Sequence, residues 1–191
     1  MKIGIDIDET LLNYIPILCD WHNHVYHTSL TKPKITSYNL WEVWGGTKEE
    51  AIQKVHSFQE SDYFDMIGPV EGAVRGIRKL HLNNEIYILT SRSDYFSEKT
   101  KEQLLNYFGD KFLDIFFTNN YSNSTQLVSE KKSDICLDVG IELMIDDNFE
   151  TAVQCADSWI RVLMMSQPWN KGKSYPGVQR VNNWKEILEK I

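Results

Sequence analysis

Apolar side chains recur along this chain at two spacings, and the switches between them mark out a series of elements. Residues 2–7, rich in isoleucine, have the length and content of a buried strand. Leu11, Tyr14, Ile15, Leu18, Trp21, His22 and Val25 then follow a helical period over residues 11–26. A second helix is predicted over 48–58. Ala73, Val74, Ile77 and Leu80 form another helical stripe, followed by a strand at 85–90. Leu104, Leu105 and Phe108 place a helix ahead of Gly109, a natural C-terminal stop. Residues 112–118 supply a third strand, 132–139 a helix ending at Gly140, and 142–146 a fourth strand. Phe149, Ala152, Val153 and Ala156 repeat the helical spacing, and 159–164 reads as a fifth strand. Strands alternating with helices predict an α/β fold, a parallel sheet covered by helices on both faces.

One stretch interrupts this rhythm. Residues 29–46 contain Pro33, Gly45 and Gly46 among Tyr38, Trp41 and Trp44, and Gly68-Pro69 punctuates the return to the alternating pattern. The expected organisation is a core of residues 1–13 and 69–191, with a small helical insertion at 14–68.

In open parallel sheets, ligands bind beyond the carboxyl ends of the strands. Those are the places where this chain sets its reactive side chains. Asp6 and Asp8 follow the first strand, two residues apart, and residues i and i+2 of an extended chain share a face. Thr90, Ser91 and Arg92 end the second strand, and Asp146 and Asp147 end the fourth. Lys131 and Lys132 open the helix before it. Converging carboxylates repel unless a cation or a shared proton relieves them, and hard cations such as Mg²⁺ favour carboxylate oxygen. Taken singly, Asp-x-Asp is also common at solvated strand ends, and a lysine pair at solvated helix starts.

The ordered set Asp6-Ile7-Asp8-Glu9-Thr10, strand-Thr90-Ser91, Lys132 and strand-Asp146-Asp147 resembles the haloacid dehalogenase (HAD) superfamily of aspartyl-phosphate phosphatases over nearly the whole chain. The resemblance implies a Rossmann-like sheet with a small cap inserted after the first strand. It assigns Asp6 as the nucleophile and Asp8 as the general acid and base. Mg²⁺ is then held by Asp6, the Asp8 backbone carbonyl and Asp146, with Asp147 in support. Thr90, Ser91 and Lys132 bind the phosphoryl group; Lys132 is chosen over Lys131 by its place in the helix leading to the paired acids. Thr10 steadies the loop or caps the following helix.

Composition narrows the partners. The chain has 191 residues, 42% hydrophobic and 25% charged, as in an ordinary folded domain. A net charge of −7 without a basic block argues against a nucleic-acid polymer as partner. Three scattered cysteines fit a reducing compartment. Asp6 and Asp8 interrupt what would be the apolar core of a signal peptide, and no apolar run approaches the ~20 residues of a membrane span. A cytoplasmic protein with a small phosphorylated substrate is expected; the oligomeric state is left open.

The aromatic content of the insertion bears on that substrate. Trp21, Trp41 and Trp44 lie there with Tyr26, Tyr38, Phe58, Tyr63 and Phe64. Small helical units use such residues for packing, and aromatic faces also stack on nucleobases. With Thr90-Ser91 and the overall length, this resembles the 5′(3′)-deoxyribonucleotidase branch and its bacterial nucleotidases. That implies a mononucleotide substrate, with Trp41, Trp44 and Arg92 as substrate-binding candidates. The segment Ser166-Gln167-Pro168-Trp169-Asn170 follows the fifth strand and borders the same end of the sheet. A phosphatase of another small metabolite, or a non-catalytic binding protein of the same fold, stands as the alternative.

Overall fold

The computed structural model describes residues 1–119 and 130–191. Among them six strands form one sheet in the order β3-β2-β1-β4-β5-β6, every neighbouring pair parallel. They are β1 (Lys2–Ile5), β2 (Glu85–Thr90), β3 (Asp114–Phe117), β4 (Leu143–Asp146), β5 (Arg161–Met165) and β6 (Val178–Val181). Strand order reverses direction between β1 and β4, the point where such sheets open a crevice at their carboxyl ends.

The two-residue period of the strands divides the core into two layers. Ile3, Ile5, Ile86, Ile88, Leu143 and Ile145 face α5 (Ala73–Leu80), α6 (Ser97–Phe108) and α9 (Trp184–Lys190) in one apolar cluster. Leu89, Met144, Val162 and Met164 pack on the other side with α7 (Lys132–Val139) and α8 (Phe149–Asp157). Because β1 and β4 are covered on both faces, they read in sequence as nearly continuous apolar runs.

Between β1 and α5 the chain runs through α1 (Tyr14–Tyr26), α2 (Leu40–Trp44), α3 (Lys48–Glu60) and α4 (Asp62–Asp65). A capping box at Thr47 and Glu50 fixes the start of α3. The two ends of this segment meet: Asn13 N donates to Gly68 O at 2.8 Å and Val70 N to Leu11 O at 2.8 Å. Tyr14, Trp21, Phe58 and Phe64 pack in edge-on and tilted ring contacts at its centre. Among the described residues no helix is long and apolar enough to cross a membrane.

Several expected boundaries move. β1 stops at Ile5 because the chain then turns into a tight loop, although Asp6 N still reaches Ile145 O at 2.9 Å. Trp159 belongs to the turn before β5, with φ +62° and 97% of its surface exposed. β6 and α9 had no clear signature: Val-Gln-Arg-Val is a short edge strand with polar alternates. Its neighbour α9 is fixed by long-range packing, its Trp184 lying against Gly76 so closely that a Cβ there would collide.

Candidate active site

The floor of the site is a buried charge cluster at the β1–β4 crevice. Lys132 Nζ donates to Asp6 Oδ1 at 2.5 Å and to Asp146 Oδ2 at 2.8 Å, and all three side chains are buried. The first residue of α7 carries that ammonium inward, whereas Lys131, one position earlier, is exposed. Asp146 Oδ1 accepts from Asn148 N at 2.7 Å, so the turn after β4 holds the carboxylate in place. Asp147 Oδ2 accepts from Trp169 Nε1 at 2.8 Å, and Asn170 Nδ2 anchors the Asp147 carbonyl at 2.7 Å.

Three acids against one lysine leave negative charge uncompensated. Burial, with repulsion from Asp146 and Asp8, raises the Asp6 carboxyl to about 7 despite the pull of Lys132. Asp147 is pushed up by burial and by Asp6 and Asp146. Burial works against charge on Lys132 too, but Asp146 and Asp6 outweigh it and keep the ammonium charged. One carboxylate oxygen from each of Asp6, Asp146 and Asp147 lies within 4.8 Å of the others. That donor set, all hard oxygen and overloaded with negative charge, fits a small divalent cation such as Mg²⁺. Asp147 therefore joins the cluster directly, where a supporting place was expected, and the Asp8 carboxylate points elsewhere.

Asp8 is turned toward Arg92 in a two-pronged pair, Nη2 to Oδ1 at 2.6 Å and Nε to Oδ2 at 3.0 Å. Arg92 is itself buried between the rings of Tyr14 and Phe64 and bonds Thr100 and Gln103. Arg92, expected to touch substrate, lines the pocket and also holds the second aspartate of the motif.

Thr90 is buried at the end of β2, its Oγ1 accepting from Arg92 N at 3.2 Å. Ser91 lines the pocket above the floor, and Tyr38 OH reaches across from the inserted segment to its Oγ at 3.4 Å. The Thr10 carbonyl accepts from Trp184 Nε1 at 2.8 Å, while its hydroxyl has no partner among the described residues. The start of α1 is served by Glu9, whose carboxylate accepts from Ile15 N at 2.6 Å and pairs with Lys32. Glu9 sits at φ +61°, a region that favours glycine, so its side-chain contacts offset backbone strain.

Above the floor opens a pocket with an apolar wall of Ile15, Ile35, Leu40 and Val55 and the rings of Tyr14, Tyr38 and Trp169. Trp41 and Trp44 do not line it. Trp44 stacks on His22 with centroids 4.8 Å apart, and Trp41 lies against Lys48. Tyr38 was visible only as one ring among many. Glu9 and Gln59, which also line the pocket, gave no sequence signal of a role there.

The sheet order, the Asp-x-Asp loop and the lysine-bridged acids define a hydrolase of the HAD class. Solved structures share the fold: a HAD-like hydrolase of Streptococcus pneumoniae superposes with TM-score 0.70 at 14% identity, over 99% of this chain and 97% of that one. The HAD-hydrolase YfnB of Bacillus subtilis, solved bound to magnesium, gives TM-score 0.66 at 15% identity, over 99% and 97%. The chain belongs to the family described as 5′ nucleotidase, deoxy (Pyrimidine), cytosolic type C protein, whose model matches residues 1–191. A nucleotidase of Clostridium acetobutylicum is 24% identical over 196 residues, covering 98% of this chain and 91% of that protein.

Proposed function

We propose that this protein is a Mg²⁺-dependent 5′-nucleotidase that dephosphorylates (deoxy)ribonucleoside monophosphates through an aspartyl-phosphate intermediate. The observation that carries the reading is the Asp6–Lys132–Asp146 cluster opening into a pocket walled by apolar and aromatic side chains. Asp6 Oδ attacks phosphorus and the P–O bond to the nucleoside breaks. Asp8 gives the leaving oxygen its proton. Water then attacks the phosphorus, Asp8 takes its proton, and inorganic phosphate departs with Asp6 restored. Arg92 keeps Asp8 oriented. Lys132 offsets charge on the nucleophile and the phosphoryl oxygens, and Thr90 and Ser91 hold the phosphoryl group. A divalent ion would be held by Asp6, Asp146 and Asp147 and would neutralise phosphoryl charge.

Residues 14–68 act in this reading as a cap that covers the site and supplies the wall against the base. Its joined ends at Leu11–Asn13 and Gly68–Val70 support that division. The enzyme works in the cytoplasm, where Cys19, Cys136 and Cys155 stay free. Phosphate release from a panel of phosphorylated metabolites with Mg²⁺ tests the proposal. Nucleoside monophosphates should be turned over at least tenfold faster than ribose 5-phosphate and other sugar phosphates. A preference for a sugar phosphate would select the alternative of a small-metabolite phosphatase.

A further inference from the structure

Helix α3 carries a polar residue where its own pattern calls for an apolar one. Ala51, Ile52, Val55 and Phe58 are all buried, and the next position of that stripe is Gln59. Gln59 is 2% exposed, yet its Oε1 has no hydrogen-bond partner among the described residues. It shares a helix face with Val55, one turn earlier, and both line the pocket above Asp6 and Asp8. A buried carbonyl oxygen left unpaired is destabilising, and departures from local rules cluster where function requires them. Tyr14, Tyr38 and Ile35 line the same pocket, rings and alkyl groups that can hold a flat heterocycle.

We propose that Gln59 is the specificity-determining residue of this pocket, its Oε1 accepting an N–H of the substrate's planar nitrogen heterocycle. This rests on the nucleotidase reading. A ligand bearing such a donor satisfies the amide on binding, and one without it leaves the carbonyl stranded. The site therefore discriminates by the penalty on the wrong ligand as much as by the bond to the right one.

The test compares wild type with Gln59→Met, which keeps length and volume and removes the amide. Substrates are the nucleoside monophosphate turned over best, ribose 5-phosphate and p-nitrophenyl phosphate. In the variant, kcat/KM for the nucleotide should fall at least tenfold, while the two substrates lacking a base stay within twofold. Its Tm should be unchanged or higher, because an unpaired buried carbonyl is gone. A nucleotide preference undiminished in Gln59→Met overturns the role of Gln59 and leaves the nucleotidase reading standing. Equal losses on all three substrates, or a Tm lowered by several degrees, do the same, since Gln59 is then a packing residue. A wild type that does not favour the nucleotide over ribose 5-phosphate overturns both.

Discussion

The floor of the site and its wall are built on opposite principles. On the floor, Asp6, Asp146 and Asp147 each accept a bond from a fixed donor, and Lys132 ties the ends of β1 and β4 together. On the wall contributed by residues 14–68 the contacts are mostly apolar, and polar atoms are left over. Gln59 Oε1, in the lining, is buried without a partner among the described residues, as are His22 Nε2 and Trp44 Nε1 elsewhere in the segment. A bonded charge cluster is rigid and does one kind of chemistry whatever the substrate carries. An apolar wall with an unmet polar group is suited to selecting what enters. In the proposed function, the difference separates reaction from recognition within a single pocket.

Breaking the floor should have the largest effects. Asp6→Asn keeps the shape but removes the proposed nucleophile, so turnover should fall by many powers of ten, each ~1.4 kcal/mol of barrier. Circular dichroism should show the fold intact; a variant keeping a tenth of wild-type activity would rule out the covalent route. Lys132→Met strands buried acids. Losing one partner of a buried pair typically destabilises by about 3–5 kcal/mol, which for a chain this size is roughly 6–20 °C in Tm. A Tm within 2 °C of wild type would show that the cluster holds itself together by shared protons.

Metal and pH probe the excess charge on the same floor. Mg²⁺ at ~100 times its dissociation constant should stabilise the native state by about 2.7 kcal/mol, and Asp146→Ala should abolish that gain in a melting experiment. Without metal, the sign of the pH effect follows from Asp6. Its folded value of about 7 lies above the ordinary carboxylate value near 4. Between those limits the folded state holds a proton that the unfolded chain has released, so this group's contribution to stability falls as pH rises from ~4 to ~7. Melting in EDTA across that window should show Asp6→Asn gaining on wild type as pH rises. Parallel curves would contradict the raised carboxyl.

The wall should give the smallest and most selective effects. Tyr38 lines the pocket and Trp41 does not, so Tyr38→Ala should raise KM for a nucleotide about tenfold, within the ~1–3 kcal/mol of an aromatic–base stack. Trp41→Ala should change it less than twofold. The reverse ranking would return the base to the tryptophans that the sequence brings forward.

That ranking also shows where sequence reading runs out. Asp6, Asp8, Thr90, Lys132 and Asp146 were legible because strand ends and a helix start place them by local rules, and a parallel sheet gathers strand ends at one edge. Arg92 was legible as a site residue but not in its partner: nothing in Ser91-Arg92-Ser93 tells that the guanidinium turns inward to Asp8, 84 residues away. Trp41 and Trp44 stand out in the sequence as rings, and a ring's identity does not say which way its short helix faces.

The chain's own pattern determined the α/β alternation, the interruption at 14–68 and the acids at the ends of β1 and β4, since each follows from periodicity and side-chain chemistry over a few residues. Tertiary structure alone decided that Asp147 turns toward Asp6, that Glu9 braces α1, that Tyr38 spans the site to Ser91, and that Gln59 Oε1 is buried with no partner among the described residues. It also set the edge strand β6 and the seat of Trp184 beside Gly76. Each of these depends on residues far apart in the chain meeting at a particular distance, and the packing of the whole core fixes such distances.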